Sequence, residues 1–264
     1  MDLQLTGKIA LVTGSTAGIG FAIAKRLAAE GAEVIINGRT EDRIGAALAT
    51  LKDQVPGARL RGAAADFAQR ASVENLLREV PAVDILVNNV GIFEPKDFTD
   101  IPDEDWFRFF EVNVMSGVRL SRHYFPTMLQ KNWGRILFIS SESAVQIPQE
   151  MIHYGTTKTA QLAVARGLAE LTRGTAVTVN SVLPGPTASE GVEGFVDGLA
   201  RQQNKPRSQV EREFFQTARP TSLLQRFASP DEVASLVAFL ASPLASATNS
   251  ASLRVDGGVV KTIV

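Results

Sequence analysis

The sequence predicts a doubly wound α/β fold, one parallel sheet of about seven strands with helices on both faces. Three observations carry this expectation. Short apolar runs alternate with longer segments of helical periodicity, the signature of repeated βα units. The runs are apolar throughout, as burial on both faces of a parallel sheet demands. The first run leads through a glycine-rich turn directly into the first helical segment.

Taken in order, Lys8–Thr13 is the first strand, and Ile19–Glu30 a helix with Ile19, Ile23 and Leu27 on one stripe, stopped by Gly31. Strand Glu33–Asn37, helix Glu41–Gln54, strand Leu60–Ala64, helix Ala71–Val80 and strand Ile85–Val87 follow. A long helix is expected over Asp103–Leu129, then strand Arg135–Ile139, helix Ile152–Thr172 and strand Ala176–Val182. Residues from about 185 to 224 break the rhythm with Gly, Pro and charge, yet hold helical stretches at Val192–Gln202 and Gln209–Gln216. They read as an insertion covering the sheet edge. Pro230 opens one more helix with Ser229 as its N-cap, and Ala251–Val255 makes a final strand before Asp256-Gly257-Gly258. With no repeat and no low-complexity linker, one domain over residues 1–264 is the simplest organisation.

Composition narrows the function. Apolar residues make up 45% and charged residues 21% of the 264, which suits a folded domain with a sizeable core. A net charge of −1 offers no basic field to nucleic acid or an acidic membrane surface. Without cysteine there is no disulfide framework or thiolate site, and neither His123 nor His153 has a second histidine at ligand spacing, so no metal is expected. No window reaches the roughly 18 apolar residues that span a bilayer. Met1–Lys8 lacks the pattern of a secretory signal, and a cytoplasmic location is the expectation.

Between the first strand and first helix, Thr13-Gly14-Ser15-Thr16-Ala17-Gly18-Ile19-Gly20 forms a turn where backbone N–H groups and a helix N-terminus can face a pyrophosphate. It lacks Gly-Lys-Ser/Thr, so an ATP-binding P-loop is disfavoured. Tyr154 and Lys158, four apart, share one helical face. A phenol can pass a proton to a nascent alkoxide, and a nearby ammonium favours the phenolate. Ser141 lies thirteen residues before Tyr154, at the carboxyl end of a strand, where open parallel sheets bind ligands. Its hydroxyl can stabilise charge on a substrate oxygen, with Ser140 and Ser143 as competitors. Asn113 sits inside a helix, where asparagine is a mediocre former and needs a reason. At the end of the second strand Asn37-Gly38-Arg39-Thr40 stands where an adenine ribose is expected. Gly38 brings no carboxylate to repel a 2′-phosphate. Arg39 offers a guanidinium to bind one, and Thr40 a hydroxyl.

Together with Asn88-Asn89-Val90-Gly91, Ser140-Ser141-Glu142-Ser143, Tyr154-Gly155-Thr156-Thr157-Lys158, Asn113 and Pro184-Gly185, the glycine turn resembles the short-chain dehydrogenase/reductase family from Gly7 to Gly258. Val90 departs from the alanine usual in that family. The resemblance implies the Rossmann form of the fold and an NADP(H)-dependent oxidoreductase that moves hydride between nicotinamide and a carbonyl or secondary alcohol. It selects Ser141 among the three serines and gives Lys158 a second task at the nicotinamide ribose. It assigns Asn113 a water that relays protons toward Lys158. It places Gly14, Ser15, Thr16, Gly18, Ile19 and Gly20 at the pyrophosphate, Asp66 and Phe67 toward the adenine, and Asn88 and Gly91 along the ribose. Pro184, Gly185 and Thr187 stand near the nicotinamide amide, with Ser189 an alternative to Thr187. It also implies a homotetramer packed through the helices Asp103–Leu129 and Ile152–Thr172, which carry Phe107, Phe110, Val114, Leu162, Val164 and Leu168.

Two other readings stay open: an NAD(H)-linked alcohol or sugar dehydrogenase, and a cofactor-binding protein that kept the fold without turnover. The intact Ser, Tyr, Lys and Asn set argues against the second. The substrate pocket is expected from Phe93, Ile147, Gln149, Met151 and the insertion, whose aromatic and aliphatic residues suit a fairly apolar small-molecule ketone.

Overall fold

A computed structural model describes residues 1–263, the side chain of Phe195 excepted. Seven strands form one parallel sheet in the order β3-β2-β1-β4-β5-β6-β7. They are β1 (Ile9–Val12), β2 (Glu33–Gly38), β3 (Leu60–Ala64), β4 (Ile85–Asn88), β5 (Gly134–Ile139), β6 (Val177–Pro184) and β7 (Ser252–Val255). The order reverses between β1 and β4, and at such a switch the loops leaving neighbouring strand ends diverge and open a crevice. In-register pairs such as Leu11↔Ile35 and Leu11↔Leu86 hold β1 at the centre, and its last three residues are fully buried.

Helices α1 (Gly18–Ala29), α2 (Glu41–Gln54) and α9 (Pro230–Ala241) belong to one face, where Ile23, Leu27, Leu51, Val233 and Val237 pack on Val12, Ile36 and Leu137. On the other face, α3 (Arg70–Glu79), α5 (Ser116–Gln130) and α6 (Ile152–Glu170) bring Leu76, Leu120, Tyr124 and Ala165 onto Leu11, Leu86 and Phe138. Alternate strand residues thus feed two cores, which explains why the strands read as continuous apolar runs. Thr40 caps α2 by accepting from the Arg43 N–H. Ser229 and Glu232 close a full capping box at α9 behind Pro230.

The helix expected over Asp103–Leu129 is not uniform. α4 (Asp103–Phe109) passes into a π-helical turn over Phe110–Met115 before α5 begins, and Asn113 lies in that turn. The covering segment carries α7 (Glu190–Gln203) and α8 (Arg207–Thr217), joined through Asn204 in the left-handed conformation. It is tied to the C-terminal end of the sheet by the Leu223 and Leu224 N–H groups, both donating to Gly257 O, and by a bridge between Thr187 and Ala228.

Candidate active site

The glycine turn is held from below by β2 and β4. Asn37, fully buried, accepts from the Gly14 N–H through Oδ1, while its own N–H donates to Ser15 Oγ. Ser15 also donates its hydroxyl to Val12 O and its N–H to Asn37 O. The polar groups of Gly14 and Ser15 are therefore committed to the scaffold. Asn89 Nδ2 donates to the carbonyls of Thr13 and Gly14 and fixes the turn from the other side. Gly14 and Gly18 have positive φ (60° and 57°), and a Cβ on Gly20 would lie 2.3 Å from Gly14 O. Only glycine fits that last position. Ala17, the N-cap of α1, supplies no side-chain cap, so the first-turn N–H groups of Gly18, Ile19 and Gly20 have no side-chain acceptor.

Ser141, Tyr154 and Lys158 converge on one cavity of about 750 Å³ at the carboxyl ends of β4, β5 and β6. Ile19, Asn89, Gly91, Pro184, Gly185 and Thr187 line the same space. Two of the three competing serines separate here. Ser140 donates its hydroxyl to Lys158 O, which makes it a brace between β5 and α6. Ser141 caps the short turn that follows, accepting from the Ser143 N–H at 3.1 Å, and donates its own proton to Glu142 Oε2 at 2.5 Å.

Tyr154 opens α6 with Phe93 edge-on to its ring at 6.3 Å, and Lys158 Nζ stands 5.6 Å from the ring centre. The ammonium donates to Ile139 O at 3.0 Å and to Gln161 Oε1 at 3.4 Å. Burial lowers Lys158 to about 8. The phenol differs from the sequence expectation. Burial pushes Tyr154 well up, the Glu142 carboxylate adds to the rise, and contact with Ser141 and the Arg219 guanidinium oppose it. Lys158 is not among the groups that lower it; they are Ser141 and Arg219, and only the second is charged.

Asn113 reaches the site through the π turn. Its amide donates to Ile92 O and to Thr157 Oγ1, both at 3.0 Å, and accepts from the Ile92 N–H at 2.7 Å. Its carbonyl, freed from the α pattern, accepts from Gln161 Nε2. The side chain thus pins the loop after β4 to α6. A Cβ on Gly91 would meet Lys158 Nζ at 3.2 Å and Asn113 Oδ1 at 3.6 Å, so the glycine leaves room for both.

At the end of β2 a Cβ on Gly38 would lie 2.5 Å from the Thr16 methyl and 3.3 Å from Ile44, so a carboxylate cannot enter there without displacing Thr16. Arg39 is exposed, and among the described residues it makes no ion pair. Thr40 spends its hydroxyl oxygen on the α2 cap. Arg43, one turn into α2 and 3.5 Å from Glu190 on α7, is a second guanidinium beside this loop that no sequence motif marks.

The remaining candidates divide. Asp66 accepts from the Ala68 N–H and Gln69 Nε2, shaping the loop before α3. Phe67 is buried in the core, which leaves only its main chain for a ligand. Thr187 donates to Gly185 O, whereas the Ser189 hydroxyl makes no cap bond at α7 and lines the cavity. Gly185 is required by packing, since a Cβ would lie 2.6 Å from Asp256 O. Phe93, Gln149 and Met151 line the cavity as expected, but Ile147 does not. It packs against Gly155 on α6 and is 44% exposed. Two buried charged residues unforeseen from sequence stand at the cavity wall, Glu142 and Arg219, paired at 3.0 Å. Among the described residues no cluster of His, Cys, Asp or Glu could hold a metal ion, and no helix is long and apolar enough to cross a membrane.

The family model of short chain dehydrogenases matches residues 8–199, from β1 through the Ser141, Tyr154 and Lys158 cluster into α7. This chain belongs to the short chain dehydrogenase family. Over 263 residues, with all of both chains covered, the dehydrogenase is 53% identical to the Bacillus subtilis protein described as uncharacterized oxidoreductase YvaG. It is 35% identical over 261 residues to the D-beta-hydroxybutyrate dehydrogenase of Cupriavidus necator, covering 97% of this chain and 99% of that one. The solved L-sorbose reductase of Gluconobacter frateurii, complexed with NADPH and L-sorbose, matches with a TM-score of 0.94 at 31% identity over 100% of both chains.

The dehydrogenase is accordingly an oxidoreductase acting on alcohol or carbonyl groups with a nicotinamide cofactor. Its residues fit such a cofactor. Gly18, Ile19 and Gly20 at the start of α1 keep N–H groups without a side-chain acceptor among the described residues, and the bare Gly91 leaves space beside Lys158 Nζ.

Proposed function

We propose that this dehydrogenase uses NADP(H) to interconvert a small-molecule carbonyl and its secondary alcohol, with Tyr154 as the general acid and base. The observation that carries the reading is the convergence of Ser141, Tyr154 and Lys158 on one cavity beside the uncapped glycine turn. The cofactor supplies or accepts the hydride. In the reducing direction Tyr154 donates its phenolic proton to the substrate oxygen as charge develops there, and Ser141 hydrogen-bonds the same oxygen. Lys158, buried and aimed past Gly91, holds the ribose hydroxyls and replenishes the proton. Asn113 fixes the loop against which Lys158 is placed and carries the water that links it to solvent.

The pyrophosphate is assigned to the N–H groups of Thr16, Gly18, Ile19 and Gly20, and the adenine to the main chain at Asp66 and Phe67. Asn88 and Gly91 take the ribose side, and Pro184, Gly185, Thr187 and Ser189 the nicotinamide amide. Residues 1–264 act as one dinucleotide-binding and catalytic domain, and the 185–224 segment covers the substrate. NADP(H) is favoured over NAD(H) because Gly38 cannot carry a carboxylate in place, while Arg39 and Arg43 offer guanidinium groups to a 2′-phosphate. The NADPH bound to the L-sorbose reductase supports the same preference.

Titration of NADPH and NADH into wild type and Arg39→Ala at fixed salt tests this. A charge-assisted pair contributes roughly 1.5–3 kcal/mol, about ten- to a hundred-and-fifty-fold in affinity. NADPH is expected to bind more tightly than NADH and to lose affinity on that scale in the variant. A wild-type preference for NADH, or unchanged NADPH affinity, would refute it.

A further inference from the structure

The cavity wall carries a charged relay that the proposed chemistry does not use. Glu142 follows Ser141 directly and is 4% exposed. Its Oε2 takes the Ser141 hydroxyl proton at 2.5 Å, and its Oε1 accepts from Arg219 Nε at 3.0 Å. Arg219 is itself buried. It follows the C-terminal end of α8, stacks on Phe214 at 5.9 Å, and donates through Nη1 to Glu150 Oε1 at 3.1 Å and to Ala218 O at 2.8 Å. A carboxylate this deep would be expelled or protonated without a partner, and the guanidinium that retains it comes from the covering segment.

A serine hydroxyl has one proton to give. The bond to Glu142 and the Ser143 N–H that it accepts hold Ser141 Oγ in one rotamer, and from there the proton turns to the substrate oxygen as charge develops on it. We propose that Glu142 is a positioning residue that sets the hydroxyl of Ser141, and that Arg219 couples this setting to the docking of the covering segment. The proposal rests on the reading of Tyr154 and Ser141 given above. It adds that the segment over the substrate aligns the catalytic serine as well as enclosing it.

The two charges act on Tyr154 with opposite signs, which gives a test. The groups facing the phenol are Lys158 on its own helix, Glu142 after β5, and Arg219 with its second partner Glu150. Glu213 lines the cavity from α8 but is held by Lys205, and the ring of His153 is turned into Trp106 and Phe109. Glu142 raises Tyr154 and Arg219 lowers it. A general acid stops working as pH rises through its pKa. Glu142→Gln should therefore move the alkaline limb of kcat/KM for NADPH-dependent reduction to lower pH, and Arg219→Gln in that background, where no buried carboxylate is left to be protonated, should move it back to higher pH. Each shift is expected to be about one pH unit. The double variant should return toward wild type.

Glu142→Gln keeps the shape of the side chain and leaves Arg219 its Glu150 partner. It should fold, with kcat down about tenfold and KM changed much less. The assay uses whichever of L-sorbose, ethyl acetoacetate and cyclohexanone wild type reduces fastest, with NADPH affinity and circular dichroism recorded for every variant. Opposed shifts with recovery in the double variant support the relay. Shifts of the same sign, an unmoved profile, or loss confined to KM would overturn it. If Tyr154→Phe keeps wild-type turnover in the same assay, the assignment of the acid itself fails. If that variant is inactive while the other profiles stay fixed, only the relay fails.

Discussion

Lys158 shows how a single residue trades stability for chemistry. Burial brings its pKa from 10.5 to about 8, so the charged form is disfavoured in the fold by about 3 kcal/mol. Between about pH 8 and 10.5 the unfolded chain binds the extra proton and the native chain does not, and stability therefore rises with pH across that window. Wild type measured against Lys158→Met should gain up to about 3 kcal/mol over this range, read as the difference between their urea unfolding curves. A pH-independent difference would mean that the ammonium is not desolvated. The nearness of Tyr154 to Lys158 was legible from their four-residue spacing on a helix, whereas the strand end offered three serines and only the family resemblance singled out Ser141. Glu142, Arg219, Asn37 and Gln161 were not legible, because the Glu142–Arg219, Asn37–Gly14 and Gln161–Asn113 contacts join residues 77, 23 and 48 apart, and no local pattern marks a Glu or Arg that the fold will bury.

At the scale of elements, helix and strand positions followed from hydrophobic period. α2 and β3 fall where the sequence places them, because Thr40 and the turn residues give sharp ends. The π turn at Phe110–Met115 was invisible. Its side-chain pattern stays helical, and what stabilises it is the amide of Asn113 bonded to Ile92 and Thr157, 21 and 44 residues distant. Asn113→Ala should leave the Ile92 N–H, the Ile92 carbonyl and the Thr157 hydroxyl without this partner. A buried unsatisfied group costs about 1–3 kcal/mol, so a lower urea midpoint and faster amide exchange at Ile92 are expected. Wild-type exchange at Ile92 would show that the π turn does not hold this loop. α7 is the weakest covering element by composition, since Gly194 and Gly198 sit in it and a Cβ on either would meet nothing within 4 Å.

At the scale of the whole molecule, the parallel sheet gathers the carboxyl ends of β1, β4, β5 and β6 at one crevice, and the covering segment closes it. The homotetramer that the family resemblance implies would use the surface away from that crevice. Phe107 is 72% exposed and Phe110 and Phe98 are exposed as well, while Leu162, Val164 and Leu168 on α6 are half-buried. Val114, expected on the same outer face, is instead buried within the chain. Apolar side chains left open on these helices suit the proposed homotetramer. Sedimentation at micromolar concentration should give four chains in wild type and a smaller species for Phe107→Asp, and a stable wild-type monomer would contradict the proposal. The proposed proton donor in the NADPH-dependent carbonyl reduction is Tyr154. Its most direct test is the rate of NADPH oxidation by wild type and Tyr154→Phe with a panel of ketones, aldehydes and 3-ketoacyl thioesters. Wild type should reduce at least one of them. The variant should bind NADPH as before and turn over ~10²-fold or more slowly. Near-normal turnover in Tyr154→Phe would contradict it.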